Sequence, residues 1–179
     1  MTGGSGFVGS HAVQALQAAG HEPLLLVRSR EKTARVFGAL GAALPATVVG
    51  DVTDAGAVGA ALAGCDAVLH AAASVEIGRG AAILERNRAA DRNVLGLAAE
   101  RGLDPIVHVS SVIALFPPRG PRFTVDDPAA SLATAYGRSK ADGERFARAL
   151  QERGALVAIV YRAGVYGPHD PGPASALAA

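Results

Sequence analysis

Tyr136 and Lys140 stand four residues apart in Tyr136-Gly137-Arg138-Ser139-Lys140. They lie near the start of a segment with helical spacing, so both side chains project from one face. An ammonium beside a phenol favours its ionised form, which prepares the tyrosine to exchange a proton with a carbonyl or alcohol oxygen. That exchange completes a hydride transfer at the carbon bearing the oxygen. A hydroxyl for the same oxygen comes 25 residues earlier, where the apolar run Ile106-Val107-His108-Val109 ends in Ser110-Ser111. Parallel α/β sheets present ligands at the carboxyl ends of their strands. Ser111 is the first choice for this hydrogen bond, with Ser110 in reserve.

The start of the chain carries a second kind of chemistry. Glycines recur at 3, 6 and 9, just before a helical apolar pattern at Val13, Leu16 and Ala19. Gly3 permits a tight turn, Gly6 lets the backbone approach a pyrophosphate, and Gly9 allows close helix packing. Free amides at the helix start, helped by the helix dipole, bind the anion. Ser5, Phe7 and Val8 complete the expected contacts of this loop. About twenty residues on, a carboxylate would hold the ribose hydroxyls of NAD. None stands in Leu24-Leu25-Leu26-Val27-Arg28, and Arg28 occupies the place, with Lys32 close by. A guanidinium suits a 2′-phosphate, so NADP(H) is favoured over NAD(H).

Further along, Asp51 is positioned to accept hydrogen bonds from an adenine amino group while Val52 packs on the ring. Asp54 reads as a helix N-cap. Ala71, Ala72 and Ala73 end another strand with small side chains that let the backbone line a flat ligand. His70, just before them, reads as a satisfied strand-end residue and not as a catalyst.

The elements that must position these groups follow from periodicity. Apolar runs over 23–27, 46–49, 67–70, 106–109 and 157–161 read as buried strands. Helical patterns fall at 6–19, 30–40, 55–62, 83–101 and 135–153. This is the alternation of an α/β fold with a doubly wound parallel sheet. The stretch 116–128, with four prolines, reads as a surface loop. The 179 residues fit one domain, 1–179. A net charge of +1 gives no sign of a nucleic-acid partner. No run reaches the ~18 continuous apolar residues of a membrane span. Cys65 is the single cysteine, so neither an internal disulfide nor a cysteine-based metal cluster is expected, which suits a cytoplasmic protein. No metal ligand set is read from the sequence. Both ends look incomplete: no strand precedes the glycine loop, and 168–179 is a Pro/Ala/Gly tail.

Taken together, Gly3-x-x-Gly6-x-x-Gly9, Asp51-Val52, the alanines at 71–73, Asn87 with Asn93, Ser110-Ser111, Tyr136-x-x-x-Lys140 and the run Arg162-Ala163-Gly164-Val165-Tyr166-Gly167-Pro168 occur in one order. In that order they resemble the extended short-chain dehydrogenase/reductases of the NAD-dependent epimerase/dehydratase group, and dihydroflavonol-reductase-like and 3β-hydroxysteroid-dehydrogenase-like members in particular. The resemblance implies a Rossmann-type fold, here without its first strand and its C-terminal substrate-binding region. It implies Ser111, Tyr136 and Lys140 as the catalytic triad, Lys140 also holding the nicotinamide ribose, Asn87 in the supporting shell and Val165 against the nicotinamide. It implies a homodimer through the helices at 83–101 and 135–153.

Ala163 replaces the proline usual after the arginine, and no Tyr-Gly follows the serines as it does in many sugar-nucleotide epimerases. The leading expectation is an NADP(H)-dependent oxidoreductase acting on a carbonyl or secondary alcohol of a small molecule. The alternatives are a nucleotide-sugar epimerase or dehydratase and a non-catalytic dinucleotide-binding domain.

Overall fold

The computed structural model describes residues 1–75, 80–118, 120–122, 124–130 and 133–170; most of the tail predicted over 168–179 lies outside them. Five strands and five α-helices alternate: α1 (Phe7–Ala18), β1 (Leu24–Val27), α2 (Arg30–Ala39), β2 (Ala46–Val49), α3 (Ala55–Ala61), β3 (Val68–His70), α4 (Gly80–Glu100), β4 (Ile106–Ser111), α5 (Ala135–Glu152) and β5 (Val157–Arg162). A 3₁₀ turn, Val112–Leu115, follows β4. The predicted elements are all present, with ends displaced by three residues at most, because apolar period and breaker residues locate both kinds of element.

All pairings are parallel, in a β1–β2 ladder and a β3–β4–β5 ladder. Met1 and Thr2 occupy the place in the sheet next to β1 and β3 from which the glycine loop leaves. Thr2 bridges Leu26 on one side and His70 on the other. The Met1 carbonyl accepts from the Leu26 amide (3.0 Å), the Thr2 amide donates to Leu69 (3.0 Å) and the Thr2 carbonyl accepts from Ala71 (3.2 Å). The order across the sheet is therefore β2-β1-Thr2-β3-β4-β5.

Strand alternation divides the core. Leu25 and Val27 pack with Val13 of α1 and Phe37 of α2 on one face. Leu26, Val68, Ile106 and Val157 pack with α3, α4 and α5 on the other. The sheet is covered on both faces because successive side chains of β1 point opposite ways. Asp54 caps α3 through the amides of Gly56 (2.8 Å) and Ala57 (3.2 Å), Ser29 caps α2, and Thr134 caps α5. No helix among the described residues is long and apolar enough to cross a membrane.

Two helical glycines have opposite surroundings. A Cβ at Gly9 would lie 2.0 Å from the Gly3 carbonyl oxygen, whereas one at Gly38 meets nothing within 4 Å. Gly9→Ala is expected to destabilise the chain by about 2–3 kcal/mol through overpacking, and Gly38→Ala to stabilise it by roughly 0.5–1 kcal/mol. Urea unfolding of both variants checks the pair; equal midpoints would show that the loop does not need the close approach.

Candidate active site

The glycine loop closes as a turn. Gly3 has φ +75°, which favours glycine, and its carbonyl accepts from the Gly6 amide at 2.9 Å. A Cβ on Gly3 would lie 2.6 Å from the Ala71 carbonyl carbon and the Ala72 nitrogen, so the loop rests directly on the backbone leaving β3. Gly6 is the N-cap of α1 and gives it no side-chain cap. First-turn amides of α1 therefore stay available to an anion. Gly9 packs behind the loop, and Phe7 meets the His11 ring edge-on at 5.2 Å.

A cleft of about 250 Å³ opens in front of the loop. Gly3, Ser5 and Gly6 form its floor, and Ala71, Ala72, Ala73 and Ser74 one wall. Arg28 and Lys32 form its far end, and neither makes an ion pair with another described residue. Val52 lines it as well, while Asp51 does not. The Asp51 carboxylate is engaged instead: Oδ1 accepts from the amide (2.9 Å) and hydroxyl (2.8 Å) of Thr53, and Oδ2 pairs with Arg86. Burial pushes this carboxyl up, but the bonds from Thr53 and Arg86 outweigh it and hold Asp51 below the usual carboxylate range. Arg86, which lines the cleft, has no part in the sequence-based expectations; its only signal is its place beside Asn87. Phe7, Val8, Gly9 and Val165 do not line the cleft.

Asn87 joins the cleft to the Tyr136/Lys140 helix. Its Oδ1 accepts from the Ser74 amide (2.8 Å), and its Nδ2 donates to the Ser74 carbonyl (3.0 Å) and to Ser139 Oγ (3.0 Å). Ser139 Oγ in turn donates to the Tyr136 carbonyl at 2.8 Å. Asn87 is thus a buried clamp between the end of β3 and the first turns of α5, and it holds neither Tyr136 Oη nor Lys140 Nζ.

The three remaining predicted groups are each bonded to a residue of β4 or β5. Ser111 stands opposite Arg162 in the ladder and its hydroxyl donates to the Arg162 carbonyl at 3.3 Å. Arg162 Nη2 donates to Tyr136 Oη at 3.4 Å. Lys140 Nζ donates to the Val109 carbonyl at 3.2 Å. The cation hydrogen-bonded to the tyrosine is therefore Arg162 and not Lys140, a contact 26 residues apart that no helical spacing shows. Ser110, the reserve choice, points away: it is fully buried and its hydroxyl donates to Glu144 at 3.2 Å.

Under this site lies a buried polar layer. Glu144 accepts from Ser110, Arg148 and Tyr161. Burial and the bond to Glu144 push the Tyr161 hydroxyl up to about 12. His70 Nδ1 meets Thr2 Oγ1 at 2.6 Å and His70 Nε2 meets Asp91 at 3.0 Å, so His70 is a satisfied strand-end residue. Burial would raise the Asp91 carboxyl; the hydrogen bond from His70 foremost, with His108 and then Lys140, outweighs it and holds it down. Burial lowers Lys140 below the ordinary lysine value, opposed by Asp91 and Glu144.

His108 stacks on His70 with ring centroids 5.8 Å apart, has neither ring nitrogen hydrogen-bonded, and is lowered by burial to about 3. Donor atoms of His70, Asp91 and His108 lie within 4.8 Å of one another, a grouping that three distant positions conceal in the sequence. The buried Lys140 ammonium beside them opposes a divalent cation there.

Comparison with known proteins gives the family. The model of the NAD dependent epimerase/dehydratase family matches residues 1–179. A Synechocystis protein carrying the name dihydroflavonol 4-reductase is 31% identical over 97% of this chain and 50% of its own length. A 3-beta-hydroxysteroid dehydrogenase of Mycolicibacterium neoaurum is 29% identical over 95% of this chain and 48% of its own. The chain thus spans about half the length of these curated relatives. The crystal structure of a dTDP-glucose 4,6-dehydratase from Streptomyces venezuelae with NAD bound superposes with a TM-score of 0.79 at 29% identity, covering 94% of this chain and 56% of that one. With the family model matching all 179 residues, the chain belongs to the NAD dependent epimerase/dehydratase family.

Proposed function

We propose that this chain is the cofactor-binding and catalytic part of a cytoplasmic, homodimeric NADP(H)-dependent enzyme that reduces a ketone, or oxidises a secondary alcohol, of a small molecule. The observation behind this reading is that Ser111 and Tyr136 are both bonded to Arg162, and Lys140 to Val109, on the paired strands β4 and β5, in a chain whose cleft is lined by Arg28 and Lys32. The residues present fit a dinucleotide: Gly3, Ser5 and Gly6 line the cleft, α1 starts without a side-chain cap, and Ala71, Ala72 and Ala73 line the cleft with small side chains. When bound, the nicotinamide supplies or accepts the hydride.

The chain's own groups do the rest. Tyr136 Oη passes a proton to or from the substrate oxygen. Ser111 Oγ turns from the Arg162 carbonyl to donate to that same oxygen. Arg162 holds the Tyr136 hydroxyl through its guanidinium, and Lys140 is anchored one helical turn on by the Val109 carbonyl.

Tyr136→Phe is expected to lower turnover by about 10²–10⁴-fold while NADPH affinity stays within about twofold. NADPH oxidation against a panel of ketosteroids, dihydroflavonols and dTDP-ketosugars reads the first quantity, and fluorescence titration the second. Retained turnover would remove Tyr136 from the mechanism.

Arg28→Ala is expected to weaken NADPH binding by about tenfold or more and leave NADH unchanged, since a charge-assisted hydrogen bond is worth roughly 1.5–3 kcal/mol. Equal affinity of the unaltered chain for the two cofactors would defeat the 2′-phosphate argument.

The similarity to the dTDP-glucose 4,6-dehydratase structure favours a second reading, an epimerase or dehydratase of a nucleotide sugar that takes its hydride back. The two differ in net cofactor use. A reductase consumes NADPH one for one with product, and an epimerase or dehydratase converts substrate with no net loss of NADPH absorbance.

A further inference from the structure

Asp91, on α4, is buried, and no arginine is among its partners. Its Oδ1 accepts from His70 Nε2 at 3.0 Å, and the opposite nitrogen of His70 meets Thr2 Oγ1 at 2.6 Å. Its Oδ2 lies 2.3 Å from where a Cβ on Gly143 would be. Gly143 is one turn beyond Lys140 on α5, so the missing side chain there lets the carboxylate reach the helix beside the lysine. Lys140 is 4% exposed, and its one hydrogen bond among the described residues goes to a neutral carbonyl, that of Val109. A buried ammonium without a counter-charge is costly.

The charged and titratable groups that act on Lys140 are Asp91 from α4, Arg162 from β5 and Glu144 from its own helix, and the ring of His108 on β4 feels its charge. Arg162 is a like charge. Glu144 is already paired with Arg148 and takes further bonds from Ser110 and Tyr161. His108 is neutral at working pH.

We propose that Asp91 is a positioning residue: its carboxylate, anchored through His70 to Thr2, is the counter-charge that keeps buried Lys140 an ammonium. Thr2 immediately precedes Gly3, so hydrogen bonds run from the phosphate loop through His70 to Asp91, and the carboxylate's charge carries the link on to the lysine of α5. The value of that charge to Tyr136 rests on the function proposed above; the coupling itself does not, and it is measured without turnover.

The chain has two lysines, Lys32 and Lys140, so lysine labelled with ¹⁵N at Nζ gives two titrating NMR signals. In the unaltered chain the Lys140 signal should be that of an ammonium at pH 7, with its midpoint lowered by burial below the ordinary lysine value. Asp91→Asn keeps an oxygen for His70 and removes only the charge. It is expected to lower the Lys140 midpoint by a further pH unit or more, about a tenfold gain in acidity. A midpoint within about 0.3 unit of the unaltered chain overturns the proposal.

Coupling is reciprocal, so Lys140→Met supplies a second test should Asp91→Asn fail to fold. The ¹³Cγ resonance of Asp91 should then titrate about one unit or more higher. An unchanged Asp91 titration in folded Lys140→Met overturns the proposal equally.

Discussion

The close approach of the glycine loop to the backbone leaving β3 is the contact on which the rest of the site depends. At Gly3 and Gly9 there is no volume for a single added carbon: the obstacles are the Ala71 and Ala72 backbone in one case and the Gly3 carbonyl in the other. With nothing between them, the loop, α1 and β3 act as one rigid corner. Thr2 is fixed in that corner by backbone bonds to both neighbouring strands. The same lack of side chains leaves α1 uncapped and the wall of the cleft flat, which are the two properties that an anion on a planar ligand requires.

A second alternation, of period two along β4, sorts the hydroxyls. Ser110 faces the helices and is held by Glu144, whereas Ser111 faces the strand end opposite Arg162. Strand register thus decides which of two adjacent serines is presented, and it does so by pairing Ser111 with the residue whose guanidinium reaches Tyr136. Three segments far apart in sequence, β4, α5 and β5, meet there. Parallel strands end together at their carboxyl edge, and the helix following β4 returns its first turns over that edge.

What was readable in the sequence is what local pattern encodes. Apolar period gave the strands and helices, glycine spacing gave the loop, and the basic pair after β1 gave the far end of the cleft. What was not readable are pairings across large separations, for which no short-range signal exists. Asp51 looked free to bind a base because Arg86, its partner, lies 35 residues on. Asn87 looked like part of the catalytic set, and its clamp on Ser74 and Ser139 emerges only when α4 packs between β3 and α5. Lys140 looked like the partner of Tyr136 Oη, but the fold turns its ammonium down to Val109 and brings Arg162 in its place. His70 alone among the long-range cases was anticipated, and only as a residue with satisfied nitrogens.

The buried polar layer is hard to explain as a source of stability. Ion pairs withdrawn from water often contribute less than apolar residues of the same shape, since desolvation outweighs their attraction. Here Asp91, Lys140 and Glu144 are all buried in the same small region, and His108 adds two ring nitrogens without partners. A core selected for stability alone would replace them. Their location is informative: each lies on α4, β4 or α5 directly beneath the strand ends where Ser111 and Tyr136 meet. Glu144, bonded to Ser110 on β4 and Tyr161 on β5, ties α5 to both strands, and Asp91 ties α4 to β3 through His70. The layer fixes the angle at which α5 presents its first turns while keeping charge of both signs in low-dielectric surroundings, where it acts at greater strength than in water. Positioned charge near a reacting oxygen is what proton transfer at that edge requires, and the stability given up in the core is the physical cost of holding it there.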